Sequence, residues 1–181
     1  MIVVAIMMGA RGIGGEQDNS TMDLLLANPI TRPRLVAEKG IAMVLAMLVL
    51  GVTAFAGTVA GSLLSGLGMS AANVAAASAQ SAALAVVFGA ATMLAGAATG
   101  RSRPAALAGA AIALAAYVAN SFLRVDPRVA DWARLSPFYY YMDNDALVNG
   151  ISWANVGVLA AAALVLLVLC AIVFERRDVR S

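Results

Sequence analysis

The chain has 181 residues, of which 62% are hydrophobic and 12% charged, and a formal net charge of +2. Soluble domains run at roughly half apolar and a quarter charged, so one globular core cannot bury this excess, and a disordered chain would need low hydrophobicity with high net charge. What remains is an integral membrane protein, and its charge balance does not point to nucleic acid.

Cys170 is the single cysteine and histidine is absent. An intrachain disulfide, the usual zinc, haem and iron–sulfur ligand sets, and Ser-His-Asp or Cys-His nucleophilic catalysis are therefore excluded. The expectation is a chain that has no catalytic or metal-binding residue and binds no cofactor itself.

Met1 to Ala10 opens the chain as an apolar run that ends at Arg11. Ten helical residues reach only about 15 Å, half the thickness of the hydrocarbon core, so residues 1–10 read as a partial span. No basic residue precedes this run and no small-x-small cleavage site follows it, which argues against a signal peptide. A charged amino group and unpaired N–H groups in mid-bilayer are costly, so the expectation is a fragment, or a late start, of a chain that begins upstream.

Residues 14–40, GGEQDNSTMDLLLANPITRPRLVAEKG, read in two pieces. Ser20-Thr21-Met22-Asp23 has the form of a capping box with Asp in the acidic place, and Met22, Leu25 and Leu26 share one helical face. Asn28-Pro29 ends this short helix. A second helix then starts with Thr31 as N-cap and Pro33 in its first turn, and runs through Leu35 and Lys39 into the membrane. A two-turn helix is marginal alone in water, so its exposed Leu and Met side chains need the membrane surface or another protein.

From Gly40 to Gly100 there are 61 residues without a charge, whereas one crossing needs about 20. The run is a hairpin of two spans, 41–64 and 75–98, around the Gly/Ser/Asn-rich turn Ser65 to Val74. A third span is expected at 104–123 and a fourth at 153–174, with residues 124–152 between them and a tail at 175–181. Each span must be helical, because open strands leave backbone groups unsatisfied in lipid and the runs lack the alternation of barrel strands. The fold class is thus all-α, with four complete transmembrane helices, an N-terminal partial span, a short cytoplasmic helix, and an outer helical and aromatic segment before the last span.

Orientation follows from Lys and Arg. Nine of them fall on one side and Arg124, Arg128 and Arg134 on the other. By the positive-inside rule the nine face the cytoplasm, which places 14–40 and the C-terminus inside and 124–152 outside. Trp132, Phe138, Tyr139, Tyr140, Tyr141 and Trp153 then sit where interfacial aromatic anchors belong. Asp126, Asp131, Asp143 and Asp145 are interleaved with the three outer arginines, a pattern of local pairing rather than of a metal site.

The four spans contain no Asp, Glu, Lys or Arg, which disfavours proton- or ion-coupled transport. Among their polar residues Gln80 and Asn120 are the costliest to place in lipid, and these two are the candidates for pathway or interhelical polar contacts. Gly57/Gly61 and Gly96/Gly100 have the spacing of close helix packing, although in a Gly/Ala-rich chain this signal is weak. No G-x-x-x-x-G-K-[ST] loop is present, so any ATP-driven process needs a second subunit to hold the ATP.

Glu16, Ser20-Thr21, Asp23, Leu24-Leu25-Leu26, Pro29 and Thr31-Arg32, in this order at one membrane boundary, resemble a pattern in type 2 permease subunits of ATP-binding cassette (ABC) exporters. These are typical of bacterial drug, antibiotic and polysaccharide export. The stretch LSPFYYYMDNDALVNGISW, Leu135 to Trp153, is similar to the family's L-S-P-F…L-x-N-G segment before the last span. The resemblance covers the whole chain, from the end of the family's second span to its sixth, and implies that the first span and most of the second are missing.

It further implies that residues 14–40 contain a coupling helix that docks on a separate cassette ATPase, with Glu16, Thr21, Asp23, Leu24, Leu25, Leu26, Pro29 and Arg32 as docking residues. A second permease half would complete the pathway in a bacterial plasma membrane, in contact with the lipid bilayer and driven by ATP on the partner. The rival reading is a non-transporting membrane scaffold whose cytoplasmic helix recruits some other partner. A membrane enzyme is disfavoured, because no catalytic set is available.

Overall fold

The apolar runs become helices because lipid offers their backbones no other hydrogen-bond partner. The computed structural model describes residues 1–18, 32–125 and 128–176. In chain order these form α1 (Ile2–Asp18), α2 (Arg32–Ser65), α3 (Ala71–Thr99), α4 (Ser102–Leu123), a 3₁₀ helix (Ala130–Leu135), α5 (Pro137–Met142), α6 (Ala146–Asn149) and α7 (Trp153–Arg176). Four of them, α2, α3, α4 and α7, are long and apolar enough to cross a membrane, and α1 is a shorter apolar helix. The all-α membrane architecture expected from the sequence is the one observed.

The centre is α3. Of its most apolar stretch 61% is buried, against 22% for α2, 11% for α4 and 17% for α7, so the other helices pack around it and turn their remaining faces outward. Close packing is possible because α3 is built largely of Ala and Gly, and between helices in lipid it is such contact, rather than water exclusion, that holds a bundle together. Three clusters of buried side chains run down this post. Phe88, Leu84 and Val87 meet Ile6, Phe138 and Leu159; Ala82 and Ala85 meet Ala5 and Met47; Met93 and Ala97 meet Ile13, Leu35, Cys170 and Phe174.

α1 runs on beyond Ala10 to Asp18, a helix of 17 residues. Arg11 does not stop it, because that side chain is exposed while Gly12, Ile13 and Gly14 on the adjoining face are buried. It lies parallel to α3: Gly9 abuts the backbone of Gly89, and Gly14 abuts that of Arg101 and Ser102. A Cβ at Gly14 would come within 2.8 Å of the Arg101 carbonyl carbon, so only glycine allows this approach.

α2 carries Pro33 in its first turn and is 34 residues long. At 1.5 Å per residue it spans about 51 Å, well beyond the hydrocarbon core, so its charged start projects from the apolar zone. Its buried residues Val36, Gly40, Met43, Met47 and Gly51 follow helical spacing, but beyond Gly51 only Ser62 is buried. The second half of α2 therefore leans away from the bundle. Gly66 and Gly68, both at positive φ, then turn the chain into α3.

At this end the segment between α4 and α7 folds back over the bundle. Ser136 caps α5 by accepting from Phe138 N–H at 3.3 Å and donates to the Ala116 carbonyl of α4 at 2.9 Å. Asn73 of α3 donates to the carbonyls of Leu147 and Val148 at 2.9 and 3.1 Å. Phe138, expected as an interfacial anchor, is instead buried between Phe88 and Tyr117, with ring centroids 5.2 and 5.4 Å away. Trp132 and Trp153 stay exposed, as anchors would.

Candidate functional site

The ends of the bundle differ in chemistry. One gathers the end of α1, the start of α2, the α3–α4 turn and the end of α7, and carries Arg32, Arg34, Lys39, Arg101, Arg103 and Arg176; we call it the basic end. The other holds the α2–α3 turn and the aromatic segment.

Residues 14–40 leave and re-enter at the basic end. Glu16 falls in the last turn of α1, whereas Thr21, Asp23, Leu24, Leu25, Leu26 and Pro29 lie outside the described residues. Arg32, the first residue of α2, reaches the end of α7. Its Nη1 donates to the carbonyls of Phe174 at 3.1 Å and Glu175 at 3.3 Å, and its guanidinium carbon stands 5.6 Å from the centroid of the Phe174 ring. The last carbonyls of a helix have no intrahelical donor and carry the negative end of its dipole, so a guanidinium is well matched to them. Leu35 and Val36 continue this contact against Cys170 and Phe174, and Gly40 faces Leu167.

Gln80 and Asn120 sit deeper. Gln80 on α3 is fully buried and neither atom of its amide has a partner; Asn120 on α4 is 1% exposed, donates to the Met142 sulfur at 3.5 Å, and leaves its Oδ1 unpartnered. Burying an amide without a partner costs about 1–3 kcal/mol by mutational data. Both residues belong to the half of the bundle nearer the aromatic end, and α5 packs on both of their helices, but no hydrogen bond joins them. Beside Gln80, Ser81 Oγ donates to the Tyr141 hydroxyl at 3.3 Å. Thr92, by contrast, satisfies itself on the Phe88 carbonyl at 2.7 Å.

A family model described as "ABC-2 family transporter protein" matches residues 1–179. The chain belongs to this family. No curated protein and no solved structure matches it. As an ABC-2 family transporter it is the membrane permease of an ABC transporter, a transport component and not itself a catalyst. Its functional positions are then surfaces and hollows rather than a reaction centre.

Three hollows lie among the described residues of this ABC-2 permease. An apolar one of about 370 Å³ lies between α2, α3 and α7, walled by Met47, Leu48, Ala83, Ala160 and Leu164 among others. A second, of about 210 Å³, adjoins it between α2 and α3 around Gly51, Phe55 and Ser78. The third is a polar cup of about 350 Å³ at the aromatic end, formed by Arg124, Asp131, Arg134, Tyr139 and Asp143. There Arg124 lies 4.9 Å from the Tyr139 ring centroid and donates to the Tyr139 carbonyl at 3.2 Å, and Arg134 pairs with Asp131 at 3.5 Å.

Ser136 and Asn73, which fasten the aromatic segment, escape a reading focused on spans. Ser136 has a sequence signal, since serine ahead of proline is a helix-start signature; Asn73 has none, because its acceptors are main-chain carbonyls about 75 residues away.

Proposed function

We propose that this chain is the permease subunit of an ATP-driven exporter in a bacterial plasma membrane, energised by a separate cassette ATPase that docks on residues 14–40. The observation that carries the reading is the family match over residues 1–179, which includes that whole segment. The return of the segment to the basic end, where cytoplasmic charge is expected, supports it. The chain holds no nucleotide itself; ATP stays on the partner, and a second permease half completes the pathway. Glu16, Thr21, Asp23, Leu24, Leu25, Leu26 and Pro29 are the docking contacts; Arg32, expected with them, has its guanidinium on the end of α7; and Gln80 and Asn120 are the candidates for pathway or interhelical polar contacts.

ATP binding on the partner closes the ATPase dimer, displaces the docked segment, and switches the spans between inward- and outward-facing arrangements. Leu25→Asp tests this reading. The charge falls among the apolar side chains Leu24 to Leu26 that the segment carries, so the variant should insert normally in the membrane yet fail to bring down the ATPase or stimulate its turnover. Normal stimulation by Leu25→Asp overturns the docking assignment.

A further inference from the structure

We propose that Arg32 is a positioning residue that clasps the exit of the docking segment to the end of the last span, so that movement of the segment is delivered to α7. This rests on the proposed function, but gives Arg32 a role other than contact with the ATPase.

The geometry has three parts. First, Arg32 is the residue at which the chain returns from the segment into α2, and it holds α7 by two consecutive main-chain carbonyls and one ring face. Carbonyl acceptors cannot be lost by side-chain rotation, so the bond reports the position of the helix end itself. Second, the contact continues down one face of α2 through Leu35, Val36 and Gly40 against Phe174, Cys170 and Leu167. Third, it then stops: from Val44 onward α2 and α7 face each other across the hollow of about 370 Å³. The two helices are joined at the basic end and apart above it.

A pair fixed at one end moves as a lever, and Arg32 stands where the docking segment would apply force. Lysine is a poor substitute. Its ammonium can reach the same carbonyls, but it has no planar face to lay against the Phe174 ring while doing so.

The test uses the full chain with Cys170→Ala and spin labels at Arg34 and Arg176, two exposed positions flanking the clasp. With Arg32 present the distance distribution between the labels should be narrow. Arg32→Ala should broaden and lengthen it, Arg32→Lys should fall between, and Phe174→Leu, which keeps the carbonyls and removes the ring, should resemble Arg32→Lys. Arg103→Ala, an exposed arginine at the same end, should change nothing. An Arg32→Lys and Phe174→Leu distribution identical to that of the parent, in protein that elutes as the parent does, overturns the clasp even if Arg32→Ala fails to fold.

With the cassette ATPase added, Arg32→Ala should still bind it but lose coupled stimulation by about 5-fold or more, the lower edge of ordinary coupling energies. Release of the ATPase with an unchanged label distance makes Arg32 a docking residue and overturns the clasp. A changed distance in a chain whose Leu25→Asp variant still stimulates the ATPase normally keeps the clasp and removes the docking assignment, so the two readings fail separately.

Discussion

Gln80 is the residue whose chemistry least suits its surroundings. A fully buried amide with both ends unpartnered destabilises the bundle in which it sits, so removing it should help folding. Gln80→Leu is expected to raise the thermal midpoint in detergent, by the equivalent of about 1–3 kcal/mol, and to lower transport. A loss of stability instead would mean that the amide has a partner in the working protein. The sequence exposes Gln80 and Asn120 because amides inside an apolar run are costly wherever they point. It does not expose the bond from Arg32 to Phe174, which closes over 142 residues and ends on main-chain carbonyls that carry no residue-type signal.

Between elements, packing is decided by single missing methyl groups. The G-x-x-x-G spacings point to Gly57/Gly61 and Gly96/Gly100. Nothing lies within 4 Å of where a Cβ would stand at Gly57 or Gly61, and Gly100 serves as the left-handed cap of α3 with φ 69°, but Gly96 does pack on α1, with Gly14 N 3.5 Å from where its Cβ would stand. The tight contacts are at Gly9, Gly14, Gly89 and Gly109, where an added Cβ meets backbone or a buried side chain. Gly9→Ala should therefore cost about 1–3 kcal/mol through overpacking, while Gly57→Ala is near neutral in the isolated chain. Thermal unfolding of both variants checks this, and equal effects would contradict the packing of α1 on α3. Spacing alone marks glycines within one helix, whereas close approach pairs glycines on different helices. The same blindness to partners hid the extension of α1 to Asp18 and the burial of Phe138, although the four spans themselves were legible from apolar length.

At the scale of the whole molecule, the described Lys and Arg are sorted between its ends, and that sorting predicts orientation. In a Cys170→Ala background, a single cysteine at Leu67 in the α2–α3 turn should react with an impermeant maleimide on intact cells, and one at Arg103 only after lysis. The reverse pattern would invert the protein and put residues 14–40 outside, beyond the reach of any ATPase. The central place of α3 also has a consequence for biosynthesis. Its apolar stretch is less hydropathic than those of α2 and α7, close to that of α4, and it carries the unpaired Gln80. Its major flanks are α1, made before it, and α7, made after it. A nascent chain must therefore hold α3 in the bilayer with one side bare until α7 arrives. Chains that stall or are clipped before α7 would present that Ala-lined face to lipid, and should be the forms that membrane quality control removes.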